Sequence, residues 1–321
     1  MLKDIILSLR LFLRISKFRH QMLPGRWNIA RNIAYLDGSE EYVESIINKP
    51  IKYFKFKICI NIKSGKKNNN PFFIQNTFSI IYLKREKSLK FFDLINHKVY
   101  TKFEYDVSEN LYYKYFFNLS KVLPLVPTRI DAHNRYAIEP LIKGKSLKEL
   151  DFTRVISWVT NLSKIAKTLH LKSVEFSPKI SKHHESTDFE LWSPYLIEFF
   201  TRVKPNSNLL EYFLRNVDFT SRETHGDLSE SNVIYINERF YVIDFDTRRF
   251  GIRPYWYDII YLINRYLKMG YSHIDFLESI DILFLNDDLG INNFDIINFM
   301  DFYDWFCHLT PVKYPKIELF T

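Results

Sequence analysis

The first residues of the chain have an apolar pattern of helical period. Between residues 2 and 19 the apolar side chains recur three and four positions apart, with Lys and Arg residues interspersed: Leu2, Ile5, Ile6, Leu9, Phe12 and Leu13. This spacing predicts a basic amphipathic helix. Such a helix either packs on its own domain or lies in the headgroup region of an anionic membrane, and the sequence leaves both open.

From residue 51 the period changes to two. Apolar residues alternate with Lys, Cys and Asn through residue 62, as expected of a half-buried strand. Strand-like runs at 72–83, 88–94 and 98–103 are separated by short polar breaks. Together these segments predict an antiparallel meander.

Helical patterns dominate the rest of the chain. Ser108 is a suitable N-cap for a helix through Phe117. Further helices are predicted at 154–170, 189–202, 207–216, 256–268, 272–284 and 294–308. We therefore predict an α+β, two-lobed fold: an N-terminal amphipathic helix and extension (1–50), a β-rich N-lobe (51–140) and a helical C-lobe (141–321), with a hinge near 138–144.

Composition narrows the classes of function. The 321 residues include only eight glycines, no two within ten residues of each other. This spacing excludes both the GxGxxG dinucleotide fingerprint and the GxxxxGK[ST] phosphate loop. The two cysteines are not at metal-ligand spacing, and no run of 18 apolar residues occurs, so we expect a cytoplasmic protein.

The net charge is unevenly distributed. The chain carries +8 overall, made up of +14 in the first 150 residues and −6 in the remainder. The basic half is suited to phosphates or to the acidic inner face of a membrane, although a solvated Lys-rich surface explains it equally well. We expect no nucleic-acid partner, because strand alternation accounts for the basic and aromatic residues near 51–57. The sequence gives no indication of oligomeric state.

One segment has the residue types of phosphoryl-transfer chemistry. His225-Gly226-Asp227 is followed by Asn232, then by two apolar runs around the turn Asn237-Glu238-Arg239, and then by Asp244-Phe245-Asp246. A hairpin across this turn places Asn232 beside Asp244, with Asp227 on the adjoining loop. An amide and a carboxylate oxygen suit Mg²⁺ with substrate phosphates, and Asp227 can accept the proton of an attacking hydroxyl. We expect His225 to position this loop.

The motif resembles the aminoglycoside phosphotransferase and choline kinase branch of the protein-kinase-like superfamily. Tyr257-Asp258-Ile259-Ile260 is similar to the family's Tyr-Asp-Leu-Ala helix start, and Leu169-His170 ends a helix similar to its Leu-Ala-x-x-Leu-His helix. The similarity covers roughly residues 85–265. It implies a kinase-like fold, ATP and Mg²⁺ as cofactors, catalytic Asp227 and His225, metal-binding Asn232 and Asp244, and Asp258 as support for the catalytic loop.

The resemblance also implies a nucleotide site in the N-lobe. The family uses a strand Lys held by a helix Glu, and our assignments are Lys102 and Glu109, with Lys90 and Lys84 as competitors for the first role. Ile138-Glu139 through Gly144 resembles the hinge strand, so Glu139 is placed at the nucleotide. The gap between Lys102 and Glu109 is shorter than in protein kinases.

These features predict an ATP- and Mg²⁺-dependent phosphotransferase acting on a hydroxyl of a small molecule such as an aminoglycoside, a choline-like amine or a sugar. Acidic residues at 275–304 favour a cationic acceptor, although several are suitable helix caps. One alternative is a membrane-associated kinase of a surface-glycan or lipopolysaccharide sugar, with peripheral membrane contact through residues 2–19. Another is a catalytically inactive pseudokinase that acts as a binding module.

Overall fold

A computed structural model of the chain describes residues 2–47, 50–63, 77–83, 89–102, 109–133, 135–175, 221–244 and 251–284. These residues divide into two compact units. Residues up to 110 with 126–142 form the first, and residues 111–125 with those from 143 onward form the second. The helices predicted at 189–202, 207–216 and 294–308 lie outside the described residues, as do Ser108, Phe245, Asp246 and Lys84.

The described residues of the first unit form an eight-stranded antiparallel sheet. Its strands are Gly25–Ala30 (β1), Ile33–Leu36 (β2), Ile58–Ile62 (β3), Ile80–Leu83 (β4), Leu89–Asp93 (β5), Lys98–Lys102 (β6), Arg129–Asp131 (β7) and Tyr136–Pro140 (β8). They are ordered β3-β1-β2-β4-β5-β6-β8-β7. Together with the helices described below, this sheet confirms the α+β class and the antiparallel character of the N-terminal region.

Two strands of this sheet come from a segment that the sequence analysis assigned to an extension. β1 and β2 pair along Trp27↔Leu36 to Ala30↔Ile33 and insert between β3 and β4. The last four residues of β1 are all buried, so the segment lacks the alternation that marks a half-buried strand. Conversely, the predicted strand from residue 51 begins as a short 3-10 turn, Ile51–Tyr53, and only residues from Ile58 pair in the sheet.

Each face of the sheet has its own apolar core. Helix α1, Leu2–Ile15, contributes Leu11 and Ile15 to a cluster that contains Phe78, Phe91 and Tyr136. Helix α2, Glu40–Ile47, contributes Val43 to a second cluster with Val99 and Phe92. Because neighbouring residues of a strand point to opposite faces, the two clusters lie on opposite sides of β5 and β6.

The second unit is built from helices and short strands. Its helices within the described residues are Glu109–Leu119 (α3, whose first two residues belong to the first unit), Phe152–Glu175 (α4), Tyr257–Leu267 (α5) and Leu277–Phe284 (α6). Its strands are Lys145–Ser146 (β9), Ser221–Thr224 (β10), Val233–Ile236 (β11), Arg239–Val242 (β12) and Gly251–Pro254 (β13). β10 pairs with β13, and β11 lies between β12 and β9.

The hairpin predicted around residue 237 is present, with a tighter turn than expected. Ile236 pairs with Arg239, so the loop has two residues rather than three. Asn237 and Glu238 both have positive φ, 48° and 60°, which is the type I′ geometry that matches strand twist. On the other side of β11, a Cβ on Gly144 would lie 2.5 Å from the Tyr235 carbonyl oxygen, so β9 and β11 approach this closely only because residue 144 is glycine.

Candidate active site

The catalytic-loop candidate connects β10 to β11. His225 follows the last residue of β10 directly, and Asn232 precedes the first residue of β11. Gly226 has a φ of 74°, a left-handed conformation in which glycine is strongly favoured. Protein kinases have Arg at the corresponding place of their H-R-D motif, so the glycine of this chain has a conformational explanation.

Asp258, in the first turn of α5, holds the start of this loop through its backbone. The His225 N–H donates to Asp258 Oδ2 at 2.7 Å and the Gly226 N–H donates to Oδ1 at 2.8 Å. The carboxyl is buried, and burial raises its pKa, while His225, the two N–H donors and Arg253 oppose the rise. One carboxylate therefore fixes two consecutive peptide groups, which supports the loop role that the resemblance implies for Asp258.

The His225 side chain links the loop to the end of the hairpin. Its Nε2 lies 3.1 Å from the carbonyl oxygen of Ile243, the residue before Asp244, and the ring is buried. A ring nitrogen engaged with a main-chain carbonyl is suited to holding two segments together. The positioning role of His225 stays a prediction, and this contact is consistent with it.

Asp227 is half-buried, and both its carboxylate and its main-chain oxygen are engaged. The Tyr261 hydroxyl donates to Asp227 Oδ1 at 3.1 Å. The main-chain oxygen of Asp227 accepts from the Asn232 Nδ2 at 2.8 Å and from the Ser229 N–H at 2.7 Å. These bonds restrict the orientation of the carboxylate, as an acceptor of a substrate proton requires.

Asn232 and Asp244 are brought to neighbouring positions by the hairpin. The Ile243 N–H donates to the Asn232 carbonyl oxygen at 2.9 Å, and both candidate side chains are buried. Asn232 Nδ2 is directed at the main-chain oxygen of Asp227. The other amide atom, Oδ1, is therefore directed away from that oxygen and is the atom that could bind a metal ion. An amide and a carboxylate oxygen fit Mg²⁺, which completes its shell with phosphates and water. No group of three or more His, Cys, Asp or Glu forms a metal cluster within the described ranges.

One face of α5 supplies polar groups to the loop at three successive turns. Asp258, Tyr261 and Arg265 are spaced i, i+3 and i+7, so they lie on the same side of the helix. Arg265 donates to Glu230 through Nε at 3.0 Å and Nη2 at 2.8 Å, while Lys148 Nζ lies 2.9 Å from Glu230 Oε1. The sequence analysis missed Tyr261, Arg265 and Glu230. The i, i+3, i+7 spacing from Asp258 was the available signal for Tyr261 and Arg265, whereas Glu230 lies on the loop and has no such signal.

Glu230 is expected to stabilise the fold in a pH-dependent way. Burial raises the pKa of its carboxyl, but the hydrogen bonds from Arg265 and Lys148 outweigh this and lower the pKa to about 2. A folded-state pKa below the unfolded value adds stability at neutral pH that is lost as the pH falls from about 5 towards 2. We expect Glu230→Gln to reduce the free energy of unfolding by about 2 kcal/mol at pH 7, because it removes the charge that pairs with Arg265 and Lys148. The loss is no larger because both cations remain partly exposed to solvent.

The measurement is urea unfolding of wild type and variant at pH 7 and pH 4. The difference in free energy of unfolding between the two proteins should be smaller at pH 4 than at pH 7. Glu278→Gln is a matched control in the same unit. Its ion pair with Lys164, at 3.3 Å, is exposed on both sides, so its loss should cost less than about 0.5 kcal/mol. Equal losses for the two variants would contradict the role given to Glu230.

The residues predicted at the nucleotide lie in the first unit and stay predictions. Lys102 Nζ lies 4.4 Å from the centre of the Tyr136 ring, and burial, followed by the nearby Arg135, lowers the pKa of Lys102. Lys102 pairs with Tyr136 across β6 and β8, whereas the buried Glu139 pairs with Val99. Glu139 therefore points to the opposite face of the sheet from Lys102. Glu109 is exposed at the start of α3.

Three acidic residues of the predicted acceptor region fall within the described ranges. Asp275 accepts from the Ser272 N–H at 3.1 Å in a capping box, and Glu278 pairs with Lys164. Burial raises the pKa of Asp281. The cap explanation therefore accounts for Asp275. The acidic residues beyond 284 lie outside the described part of the chain.

Solved structures of small-molecule kinases are similar to this chain. The choline kinase LicA from Streptococcus pneumoniae is 12% identical, with 67% of this chain and 76% of that chain covered at a TM-score of 0.39. A choline/ethanolamine kinase family protein from Mesorhizobium loti is 12% identical (70% and 79% covered, TM-score 0.40), and a type VIII aminoglycoside-3′-phosphotransferase is 14% identical (68% and 88%, TM-score 0.37). Neither a protein-family model nor a curated protein matches the sequence.

Proposed function

We propose that the chain is an ATP-dependent phosphotransferase that phosphorylates a hydroxyl group of a small molecule. The observation that supports this best is the joint placement of Asp227, Asn232 and Asp244. Asn232 donates to the main chain of Asp227, and the backbone bond from Ile243 to Asn232 adjoins Asp244. This is the arrangement of proton acceptor and two oxygen ligands that phosphoryl transfer uses.

In the proposed reaction, the acceptor hydroxyl donates its proton to the Asp227 carboxylate as its oxygen attacks the γ-phosphorus. The bond from that phosphorus to the β,γ-bridging oxygen breaks, and ADP leaves with the electron pair. Tyr261 keeps Asp227 Oδ1 oriented, and Asp258 holds the peptide groups just before Asp227. Asn232 and Asp244 would hold Mg²⁺, which neutralises charge on the β- and γ-phosphates when bound.

The acceptor that we propose is an aminoglycoside, a choline-like amine or a sugar, the classes that the motif resemblance implies. The second candidate is a kinase of a membrane-borne glycan sugar, and it is favoured by the apolar side chains that α1 leaves exposed: Leu2, Ile6, Leu9 and Leu13. None of the helices among the described residues is long and apolar enough to span a bilayer.

An acceptor screen tests this proposal. Purified protein and γ-labelled ATP are incubated with aminoglycosides, with choline and ethanolamine, with free sugars and with a membrane glycan extract, each in Mg²⁺ and in EDTA. We expect label on the hydroxyl of one class, and no transfer in EDTA. Retained nucleotide binding without ATP consumption for any acceptor would overturn the proposal and favour the pseudokinase alternative.

A further inference from the structure

Helix α1 packs on its unit with only part of the face that the sequence predicts: Ile5 and Phe12 of that face are half-buried, and Phe12 packs against the sheet core. The predicted apolar face comprises Leu2, Ile5, Ile6, Leu9, Phe12 and Leu13. Four of these side chains are largely exposed, Leu2 by 71%, Ile6 by 56%, Leu9 by 47% and Leu13 by 68%. The buried positions of α1 are instead Ser8, Leu11 and Ile15. The helix thus has one apolar side in the core and another in solvent.

Helical geometry makes the exposed side chains one continuous stripe. At 100° per residue, Leu9, Leu2, Leu13 and Ile6 fall within an arc of about 60°, centred about 160° from the buried arc. We call these four residues the α1 stripe. Lys3 and Arg10, both exposed, fall on the next arc beside the stripe. An apolar band with a cationic flank is therefore presented on the outer side of the helix.

Polar contacts on the inner side keep the α1 stripe outward. Asp4 Oδ1 lies 3.1 Å from Arg31 Nε, and Ser8 Oγ accepts from the Arg31 N–H at 2.7 Å. Leu11 and Ile15 are fully buried in the sheet core. Turning the stripe inward would break these bonds and expose both core residues, so rotation of the helix does not relieve the exposure.

We propose that the α1 stripe docks on an anionic bilayer surface. The helix is 14 residues long, too short to span a membrane but long enough to lie in its interface. The stripe would enter the headgroup region, while Lys3 and Arg10 would meet anionic lipid headgroups. The charge complementarity favours anionic lipid over a second copy of this chain, since two basic α1 helices repel each other. The inference does not depend on the proposed phosphotransferase activity.

The test is co-sedimentation of the full chain with vesicles, without nucleotide. Equal parts of phosphatidylglycerol and phosphatidylcholine form the anionic vesicles, and phosphatidylcholine alone forms the neutral ones. We expect binding to the anionic vesicles only, weakened by salt. The double substitution Ile6→Gln with Leu13→Gln should lower the partition coefficient at least roughly ten-fold, and Lys3→Gln with Arg10→Gln should remove most of the salt dependence.

Ile95→Gln is the matched control, because Ile95 is 65% exposed in a turn of the same unit. It should leave binding unchanged, and circular dichroism and thermal melting should show that all variants fold. Failure of the wild-type chain to sediment with anionic vesicles would overturn the proposal, as would an equal loss with Ile95→Gln. The proposal would also be overturned if the wild-type chain did not bind vesicles and instead formed a concentration-dependent dimer that the double substitution Ile6→Gln with Leu13→Gln dissociates. The α1 stripe would then be a contact with a second copy of this chain.

Discussion

The Asp244→Asn protein is expected to lose Mg²⁺-dependent phosphoryl transfer, with kcat lowered by about 10³-fold or more. The substitution removes one negative charge and changes little else. Asp244 has a φ of 64° and is buried, and Asn tolerates the left-handed region as well as Asp does. The variant should therefore keep its backbone and its packing, so that the lost charge at the metal accounts for the loss of rate.

The measurement is the rate of transfer as a function of Mg²⁺ concentration, with the acceptor that the screen identifies. Asn232→Asp is the companion variant: it keeps an oxygen ligand at the other position but loses the Nδ2 donor to the Asp227 main-chain oxygen. We expect partial activity with an altered dependence on Mg²⁺ or Mn²⁺. Asp275→Asn, at an exposed helix cap, controls for the loss of an aspartate as such. An Asp244→Asn protein with full Mg²⁺-dependent transfer would rule out the metal assignment.

The second large effect is expected at Asp227. Asp227→Asn should lower kcat by about 10²- to 10⁴-fold, because an amide cannot accept the proton of the acceptor hydroxyl. Its KM for ATP should change little, since the proposed role concerns the acceptor. The main-chain oxygen of Asp227, which holds Asn232 and the Ser229 N–H, is retained in the variant, and the loop should therefore keep its conformation.

Tyr261→Phe is the matched comparison for Asp227→Asn. It deletes only the hydroxyl that donates to Asp227 Oδ1 at 3.1 Å, and it leaves the carboxylate in place. We expect a loss of about ten-fold or less, in keeping with one hydrogen bond of about 1 kcal/mol. If Asp227→Asn were no slower than Tyr261→Phe, Asp227 would not be the proton acceptor.

The sequence predicts those helices and strands whose residues follow a recognisable pattern over one short segment of the chain. The strand-like runs at 88–94 and 98–103, set off by polar breaks, predicted β5 and β6 to within about one residue, and the helical spacing at 256–268 predicted α5. β1 and β2 were not recognised, because their buried residues are consecutive and show no alternation. β5 is buried in the same way, but the polar breaks on either side of it marked a strand-like run. The site assignments from the motif concern residues that approach each other through pairing across the hairpin, and only the register of β11 and β12 defines that pairing.

The orientation of α1 illustrates a different limit of sequence patterns. The spacing of apolar residues identifies the most apolar side of a helix but does not say what covers it. In this chain the core is contacted by the side that carries Asp4 and Ser8 along with Leu11 and Ile15, and both polar residues are satisfied by Arg31. The polar contacts that accompany this packing join residues 23 to 27 positions apart in sequence, beyond the reach of periodicity.

The polar face of α5 makes the active-site candidate depend on the rotational register of a single helix. Backbone support by Asp258, orientation of the Asp227 carboxylate by Tyr261 and the ion pair of Glu230 with Arg265 all originate from it. One inserted residue after Asp258 would turn the later positions by about 100° and separate two of these three functions from the first. A single substitution on this face removes one of these contacts, whereas an insertion or deletion between them removes several at once.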